Sequence, residues 1–279
     1  MTFKAACIQN CATPDVHHDI AVLTRLIGRA AAEGATFIAT PEFCAGLDTK
    51  DGKMLPHAVA EAEHPVIPAM AALARKHGAW LLIGSIGVKA ADGRVNNRSL
   101  MLAPDGRVVA RYDKIHLFDV NLGEGKTYRE SATIAPGNDA VLSPCAGATI
   151  GLSICYDLRF AALYRAYGKA GASMLAIPAA FTKMTGEAHW HVLNRARAIE
   201  NGAYVVAPCQ YGTLSGGAQC FGHSLIVDPW GKVLADGGDS EGIVVAEIDP
   251  ALVTQTRARI PSLQHDRPFT VAAPAAAAE

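Results

Sequence analysis

Short apolar runs alternate along this chain with longer stretches whose apolar positions recur at helical spacing. Phe3–Gln9 and Ala35–Thr40 read as short buried strands. Between them Val22, Leu23, Leu26, Ile27 and Ala30 fall on one face of a helix, and Gly34 is placed to end it. Pro65–His77 repeats the pattern, with a proline near its start and Gly78 after it. Ala79–Val88, Ser99–Ala103 and Val108–Tyr112 then predict strands, the last two joined by the turn Pro104-Asp105-Gly106. The second half is similar. Thr149–Cys155 predicts a strand, Arg159–Ala170 a helix closed by Gly171, Ser173–Pro178 a strand, and Glu187–Asn201 a helix closed by Gly202. Strands follow at Ala203–Pro208, Gly222–Asp228, Lys232–Asp236 and Gly242–Asp249, with Pro229-Trp230-Gly231 as a turn.

Each half thus predicts roughly β-α-β-α-β-β-β, with little residue identity between the halves. Strands alternating with helices imply an α/β fold with helices outside the sheets. Two such halves packed sheet to sheet make a four-layer αββα sandwich. No Pro/Ser/Gly-rich linker separates them, so residues 1–268 are expected to form one domain. Residues 269–279, rich in alanine, carry little patterning and are expected to be a mobile tail.

Composition narrows the function classes. The chain has 279 residues, half of them hydrophobic, and a formal net charge of -1. No global positive field points to nucleic acid or to an anionic membrane surface. No apolar run approaches the roughly 20 residues that span a bilayer. The start, Met1-Thr2-Phe3-Lys4, lacks the apolar core of a signal peptide, so a cytoplasmic location is expected. Cysteines stand at 7, 11, 44, 145, 155, 209 and 220, with no Cys-x-x-Cys pair. In the cytosol, disulfides among them are not expected.

Chemistry in α/β folds gathers just past the carboxyl ends of strands. Three places qualify: Pro41-Glu42-Phe43, Asp113-Lys114-Ile115-His116, and Cys155 where a buried strand turns into a helix. Helix amides and dipole would favour a Cys155 thiolate and hold an oxyanion; a buried structural thiol is the competing reading. Glu42 suits a general base for a thiol, or a helix cap or surface ion pair. Lys114 suits stabilisation of a carbonyl oxygen, or a surface lysine with its stem laid along apolar residues. A Cys155 dyad with His116 or His223 stays open. His189-Trp190-His191 with Glu187 is a weak metal pattern, because residues two apart on a helix face different ways. His223-Ser224 lacks the Gly-x-Ser-x-Gly elbow, and Gly123-Glu124-Gly125-Lys126 lacks the spacing of a phosphate loop. Arg195 and Arg197 form a solvated face or meet a substrate carboxylate.

Together these stretches resemble the nitrilase superfamily of carbon–nitrogen hydrolases. The resemblance rests on Thr40-Pro41-Glu42-Phe43, Tyr112 through Asp119, Arg129-Glu130-Ser131 with Pro136-Gly137, and Gly151 through Phe160. Ala188-His189-Trp190 through Glu200 and Gly222-His223-Ser224 through Gly231 extend it, in order, from about residue 3 to 268. The resemblance implies the αββα sandwich, a homodimer or higher homo-oligomer, and no metal or organic cofactor. It implies a triad of Glu42, Lys114 and Cys155, with Glu130 supporting the lysine and helping to position substrate. Cys155 then attacks a small linear amide, Glu42 moves protons, Lys114 and the main-chain N–H of Tyr156 hold the oxyanion, and a thioester is hydrolysed with ammonia as product. Phe181 lines the pocket or is a core aromatic.

Within the family the downstream half looks most like amidases acting on deaminated glutathione. The residues behind this are Arg195–Glu200, Val227 through Gly231 and Gln264 through Pro268. Alternatives are an ω-amidase acting on α-ketoglutaramate, and an N-carbamoyl amino acid hydrolase or nitrilase. A binding or interaction protein on the same fold, or a redox sensor at Cys155, are the non-hydrolytic readings. The segment Asn121–Lys126 departs from the family pattern and is expected to border the pocket.

Overall fold

In the computed structural model, which describes residues 1–51, 53–123 and 127–272, the first strand already sets the layers. Along β1 (Phe3–Gln9), Ala5 and Cys7 point into one core, while Ala6 and Ile8 point into another on the opposite face. A strand buried on both faces must be sandwiched, because successive side chains alternate.

The layer outside β1 is helical. After α1 (Val16–Ala32) come β2 (Ala35–Ala39), a hairpin of β3 (Leu47–Lys50) and β4 (Lys53–Pro56), β5 (Ala58–Val59), α2 (Val66–His77), β6 (Trp80–Lys89), β7 (Val95–Leu102) and β8 (Val108–Asp113). Leu23, Leu26, Ile27 and Ala30 of α1 meet Met70, Leu73 and Ala74 of α2 over Ala6, Ile8, Ile38 and Leu81 of the sheet. Each large apolar side chain so buried contributes about 1.5–3 kcal/mol. Asp15 caps α1 by accepting from His17 N and His18 N, and α2 ends in left-handed Gly78.

A hairpin of β9 (Asp119–Asn121) and β10 (Thr127–Arg129) precedes β11 (Ile134–Ala135). The second half runs β12 (Val141–Cys145), β13 (Ala148–Leu152), a five-residue 3-10 helix Cys155–Arg159, α3 (Ala161–Lys169), β14 (Met174–Ala176), α4 (Lys183–Asn201) and β15 (Tyr204–Ala207). It closes with a hairpin of β16 (Tyr211–Thr213) and β17 (Gln219–Phe221), then β18 (Leu225–Val227), β19 (Val233–Asp236), β20 (Gly242–Ile248) and α5 (Pro250–Arg259).

The first sheet has the order β11-β7-β6-β2-β1-β20, with β8 also on β7 and β5 also on β6; the second is β12-β13-β14-β15-β18-β19. Phe37, Ala39, Leu82 and Met101 of the first sheet share one core with Ile150, Leu152, Met174, Val205 and Leu225 of the second, and Trp190 and Tyr164 close it from the helical side. The order is α1α2, sheet, sheet, α3α4, which is the expected αββα sandwich.

Several boundaries differ from the sequence reading. β20 does not complete the second half; it pairs antiparallel with β1 on the edge of the first sheet. Periodicity tells that a strand exists but not which edge it joins. The helix expected over Arg159–Ala170 is split at Phe160, and α4 starts at Lys183 rather than Glu187. α5 was not expected, although Asp249 caps it and Pro250 opens it. Of the expected tail, residues 269–272 lie past the last helix and 273–279 fall outside the described residues. Among the described residues no helix is long and apolar enough to cross a membrane.

Candidate active site

Glu42 is placed by a bulge in β6. The register of β6 on β7 shifts between Ile83 and Ile86, and the segment Thr40–Cys44 lies across it. Thr40 Oγ1 accepts from Gly84 N at 2.9 Å, Phe43 N donates to Ser85 Oγ at 2.8 Å, and Ser85 N donates to Pro41 O at 3.2 Å. A Cβ on Gly84 would sit 1.9 Å from Thr40 O, so only glycine allows this approach. Phe43 takes a φ of 45°, a strained value for an aromatic residue, and this aims the neighbouring Glu42 inward. Gln210 Nε2 donates to the carbonyls of Glu42 (2.9 Å) and Phe43 (2.8 Å) and fixes the turn.

Both Glu42 oxygens are filled. Oε1 accepts from Lys114 Nζ at 2.9 Å and Asn97 Nδ2 at 2.8 Å, and Oε2 accepts from Ala180 N at 2.9 Å. Lys114, one residue past β8, is no surface lysine: its side chain is 2% exposed. It donates to both oxygens of Glu130 at 2.9 Å, and Glu130 accepts in turn from Phe118 N at 2.6 Å. An ammonium therefore lies between two buried carboxylates.

Cys155 opens the 3-10 helix with φ 50°, its N–H bonded to Pro178 O at 2.8 Å. The turn is held by Asp157, which is fully buried. Its carboxylate accepts from Ile154 N (2.8 Å), Tyr112 OH (2.6 Å), His116 N (3.0 Å) and the His116 Nδ1 (2.7 Å). One side chain thus ties the turn carrying Cys155 to the strand end carrying Lys114.

The electrostatics follow from burial. Burial works against the Lys114 ammonium, but Glu130 and Glu42, with Cys155 behind them, outweigh it and hold the group charged well above the ordinary lysine range. Burial pushes the Glu130 carboxyl up, with Lys114 opposing and Glu42 adding to the rise. Burial and then the Glu42 charge push the Cys155 thiol well above its ordinary value, while Lys114 pulls it down. This corrects the expectation of a helix-lowered thiol: the turn is a short 3-10 helix, and a carboxylate faces the sulfur.

Glu42, Lys114, Glu130, Cys155, Tyr156 and Phe181 line one cavity of about 340 Å³. Leu122, from the segment expected to border the pocket, also lines it; residues 124–126 fall outside the described residues. Phe181 also packs on Trp190 with ring centroids 4.9 Å apart. The histidines considered for a dyad are engaged elsewhere: His116 binds Asp157 and stacks on Phe160, and His223 binds Asp236. Arg197 is buried and bonds Leu158 O, and Arg195 bonds Gly231 O, so neither lies in the cavity. Asn97, Gln210 and Asp157 were not singled out from sequence. Asp157 stood in a quoted motif, two residues after the cysteine; Asn97 and Gln210 carry no local signal.

With this geometry in place, comparison with known proteins is decisive. The carbon–nitrogen hydrolase family model matches residues 4–258. The chain belongs to the carbon–nitrogen hydrolase family. Relatives of this hydrolase include the deaminated glutathione amidase of Synechocystis sp. (strain PCC 6803 / GT-S), 40% identical over 94% of this chain and 97% of that one. The omega-amidase NIT2 of Homo sapiens is 33% identical over 95% of each chain. Among solved structures, the Caenorhabditis elegans NitFhit protein superposes with a TM-score of 0.85 at 32% identity, covering 95% of this hydrolase and 65% of that chain. Saccharomyces cerevisiae Nit3 gives 0.82 at 28% identity, covering 93% and 94%.

Replacing Asp157 by Asn turns an acceptor oxygen into a donor facing donors. Asp157→Asn is expected to lower stability by about 2–4 kcal/mol, read as an earlier urea midpoint, and to reduce turnover of the folded fraction. An unchanged midpoint with full turnover would remove Asp157 from its tying role.

Proposed function

We propose that this amidase uses Cys155 as nucleophile, Glu42 as the proton carrier and Lys114 with the main-chain N–H of Tyr156 as the oxyanion site, and that it acts on deaminated glutathione. The observation carrying the reading is the convergence of a thiol, a carboxylate and an ammonium fixed to that carboxylate in one cavity. Glu42 takes the thiol proton, and the sulfur forms a bond to the amide carbon. The carbonyl oxygen becomes negative beside Lys114. The C–N bond breaks as Glu42 gives the proton to the leaving nitrogen, and a thioester remains. Glu42 then takes a proton from water, which attacks the thioester carbon, and the proton returns to sulfur as the C–S bond breaks. Lys114 stays an ammonium throughout and acts by charge. Glu130 holds it there.

The substrate reading corrects one product. In deaminated glutathione the departing nitrogen is the amino group of cysteinylglycine; ammonia leaves only from α-ketoglutaramate. Both release 2-oxoglutarate. Lys50, Lys53 and Lys183, together with Asp51, line the cavity away from the buried cluster and suit a substrate carrying carboxylates. The relatives named deaminated glutathione amidase favour the larger substrate.

The homodimer reading is supported by α4. Met184, Val192 and Ile199 lie on one helix face and are more than half exposed, and exposed Trp230 adjoins Ile199 through Gly231. Such a patch is characteristic of an interface. A cytoplasmic location fits seven cysteines that are all free.

Three measurements test the reading. Purified protein should form 2-oxoglutarate faster from deaminated glutathione than from α-ketoglutaramate, and Cys155→Ala should abolish both while staying folded; turnover retained in that variant would overturn the nucleophile, and the reverse preference the substrate. Glu42→Gln removes a charge that raises the thiol. It should cut turnover by about 10²–10⁴-fold and move the pH midpoint of Cys155 alkylation downward; an upward shift would contradict the pairing. Sedimentation should give twice the protomer mass, and a monomer at micromolar concentration would reject the dimer.

A further inference from the structure

Away from the cavity, three potential metal ligands converge from three separate elements. His191 comes from the flank of α4, between its buried face and its exposed apolar one. His223 comes from the connection between β17 and β18, and Asp236 ends β19. One ligand atom from each lies within 4.8 Å of the other two. His191 Nε2 is 2.9 Å from Asp236 Oδ2, and the His223 Nδ1 is 2.8 Å from Asp236 Oδ1. The sequence reading set aside a metal at His189 and His191 because they face different ways. They do: His189 meets Arg159. The partners of His191 lie more than 30 residues on, in the β17–β18 connection and at the end of β19, where no local spacing reveals them.

The ligands are held before any ion arrives. His223 adopts φ 52°. Its N–H donates to Gly238 O at 2.6 Å, and its carbonyl accepts from Trp190 Nε1 at 2.7 Å. Its ring stacks on Phe221 with centroids 4.4 Å apart. Asp236 Oδ1 accepts from Gly238 N at 2.9 Å. The side chains are about one-third exposed, so an ion has a path from solvent and room for water as a further ligand. With both imidazoles neutral the cluster carries one negative charge, and its ion pairs among the described residues involve no lysine or arginine.

We propose that His191, His223 and Asp236 bind one divalent transition metal ion of the zinc class. Two imidazole nitrogens and a carboxylate oxygen suit this borderline ion, with water in the fourth position. Ligand atoms on a tetrahedral zinc lie about 3.3 Å apart, so the widest pair closes by at most roughly 1.5 Å. That is within side-chain rotation for groups one-third exposed. The alternative, a carboxylate bridging two imidazoles by hydrogen bonds alone, uses the same atoms and is decided by titration. The ion would clamp α4 to the β17–β18 connection. Lys183, Met184 and Thr185 of α4 and Gln219 and Cys220 of β17 line the substrate cavity, so the clamp ties two of its walls.

The test uses the full chain as Cys155→Ser, so that the active-site thiol captures no metal. After chelator treatment it is titrated with Zn²⁺ by calorimetry and with Co²⁺ by visible absorption. The expected result is one ion per chain with a four-coordinate Co²⁺ spectrum lacking thiolate charge transfer. Changing only the groups that hydrogen-bond to a metal's ligands weakens such sites about 10–100-fold, so His191→Asn and Asp236→Asn, which remove ligands, should each weaken binding by more than about 100-fold. His223 is left intact because its strained backbone makes a substitution there a folding risk. No saturable Zn²⁺ binding, or binding unchanged in both variants, would overturn the site.

Discussion

An ammonium held between two carboxylates, with all three shut away from water, sets the terms for the rest of this structure. Removing each ion from water costs several kcal/mol, and the cost is offset only where every lone pair and proton finds a partner. That is the arrangement around Lys114: Glu42 and Glu130 accept its hydrogen bonds, while Asn97, Ala180 N and Phe118 N donate to the remaining carboxylate positions. Two carboxylates and one ammonium leave a net charge of -1 (−2 + 1). A further negative charge on sulfur would be disfavoured; burial first, and then the Glu42 charge, hold the Cys155 thiol protonated. Passing its proton to Glu42 changes nothing in that sum. In the proposed reaction the charge moves from carboxylate to sulfur to oxyanion, and Lys114 is the fixed counter-charge for each.

Holding three charges this closely requires a backbone that does not relax. The sandwich supplies it. Each group enters from just past a strand end, and the two sheets share one packed core between them. The strain is local: Phe43 and Cys155, on the two segments that bring Glu42 and the thiol together, both sit at positive φ. Such conformations cost of order 1–3 kcal/mol each and persist only where surroundings over-determine them. Here the surroundings are the β6 bulge under Glu42 and the Asp157 carboxylate beside Cys155.

Much of this was legible in the chain, for physical reasons. The apolar alternation of Phe3–Gln9 and the helical spacing from Val22 to Ala30 reflect burial, and burial decides layers. Glu42, Lys114 and Cys155 stood out because they end strands; Lys114 in isolation still read as a surface residue, since nothing local records a partner 16 positions away in Glu130. Hairpins β3–β4, β9–β10 and β16–β17 escaped notice because each strand is only three or four residues long, too short for alternation to stand out. The edge chosen by β20 and the bonds of Asn97 and Gln210 depend on tertiary pairing that no spacing encodes.

The hairpins divide the labour of the molecule. The sandwich interior supplies Glu42, Lys114 and Cys155, whereas β3–β4 and β16–β17 contribute Lys50, Lys53 and Gln219 to the cavity wall. Loops on a rigid scaffold can vary without disturbing the core, so this part of the cavity wall lies where the chain is freest to change. Glu130 crosses this division. It follows β10 directly, and Asp119 of β9 holds its neighbour Ser131 by accepting from the Ser131 N–H at 3.0 Å. Its carboxylate nonetheless reaches the buried ammonium. A shift of this hairpin by a bound substrate would therefore act on the position of Lys114, and through it on the charge that faces the oxyanion. In the proposed reaction, the cavity wall and the cation that faces the oxyanion are thus joined by one side chain.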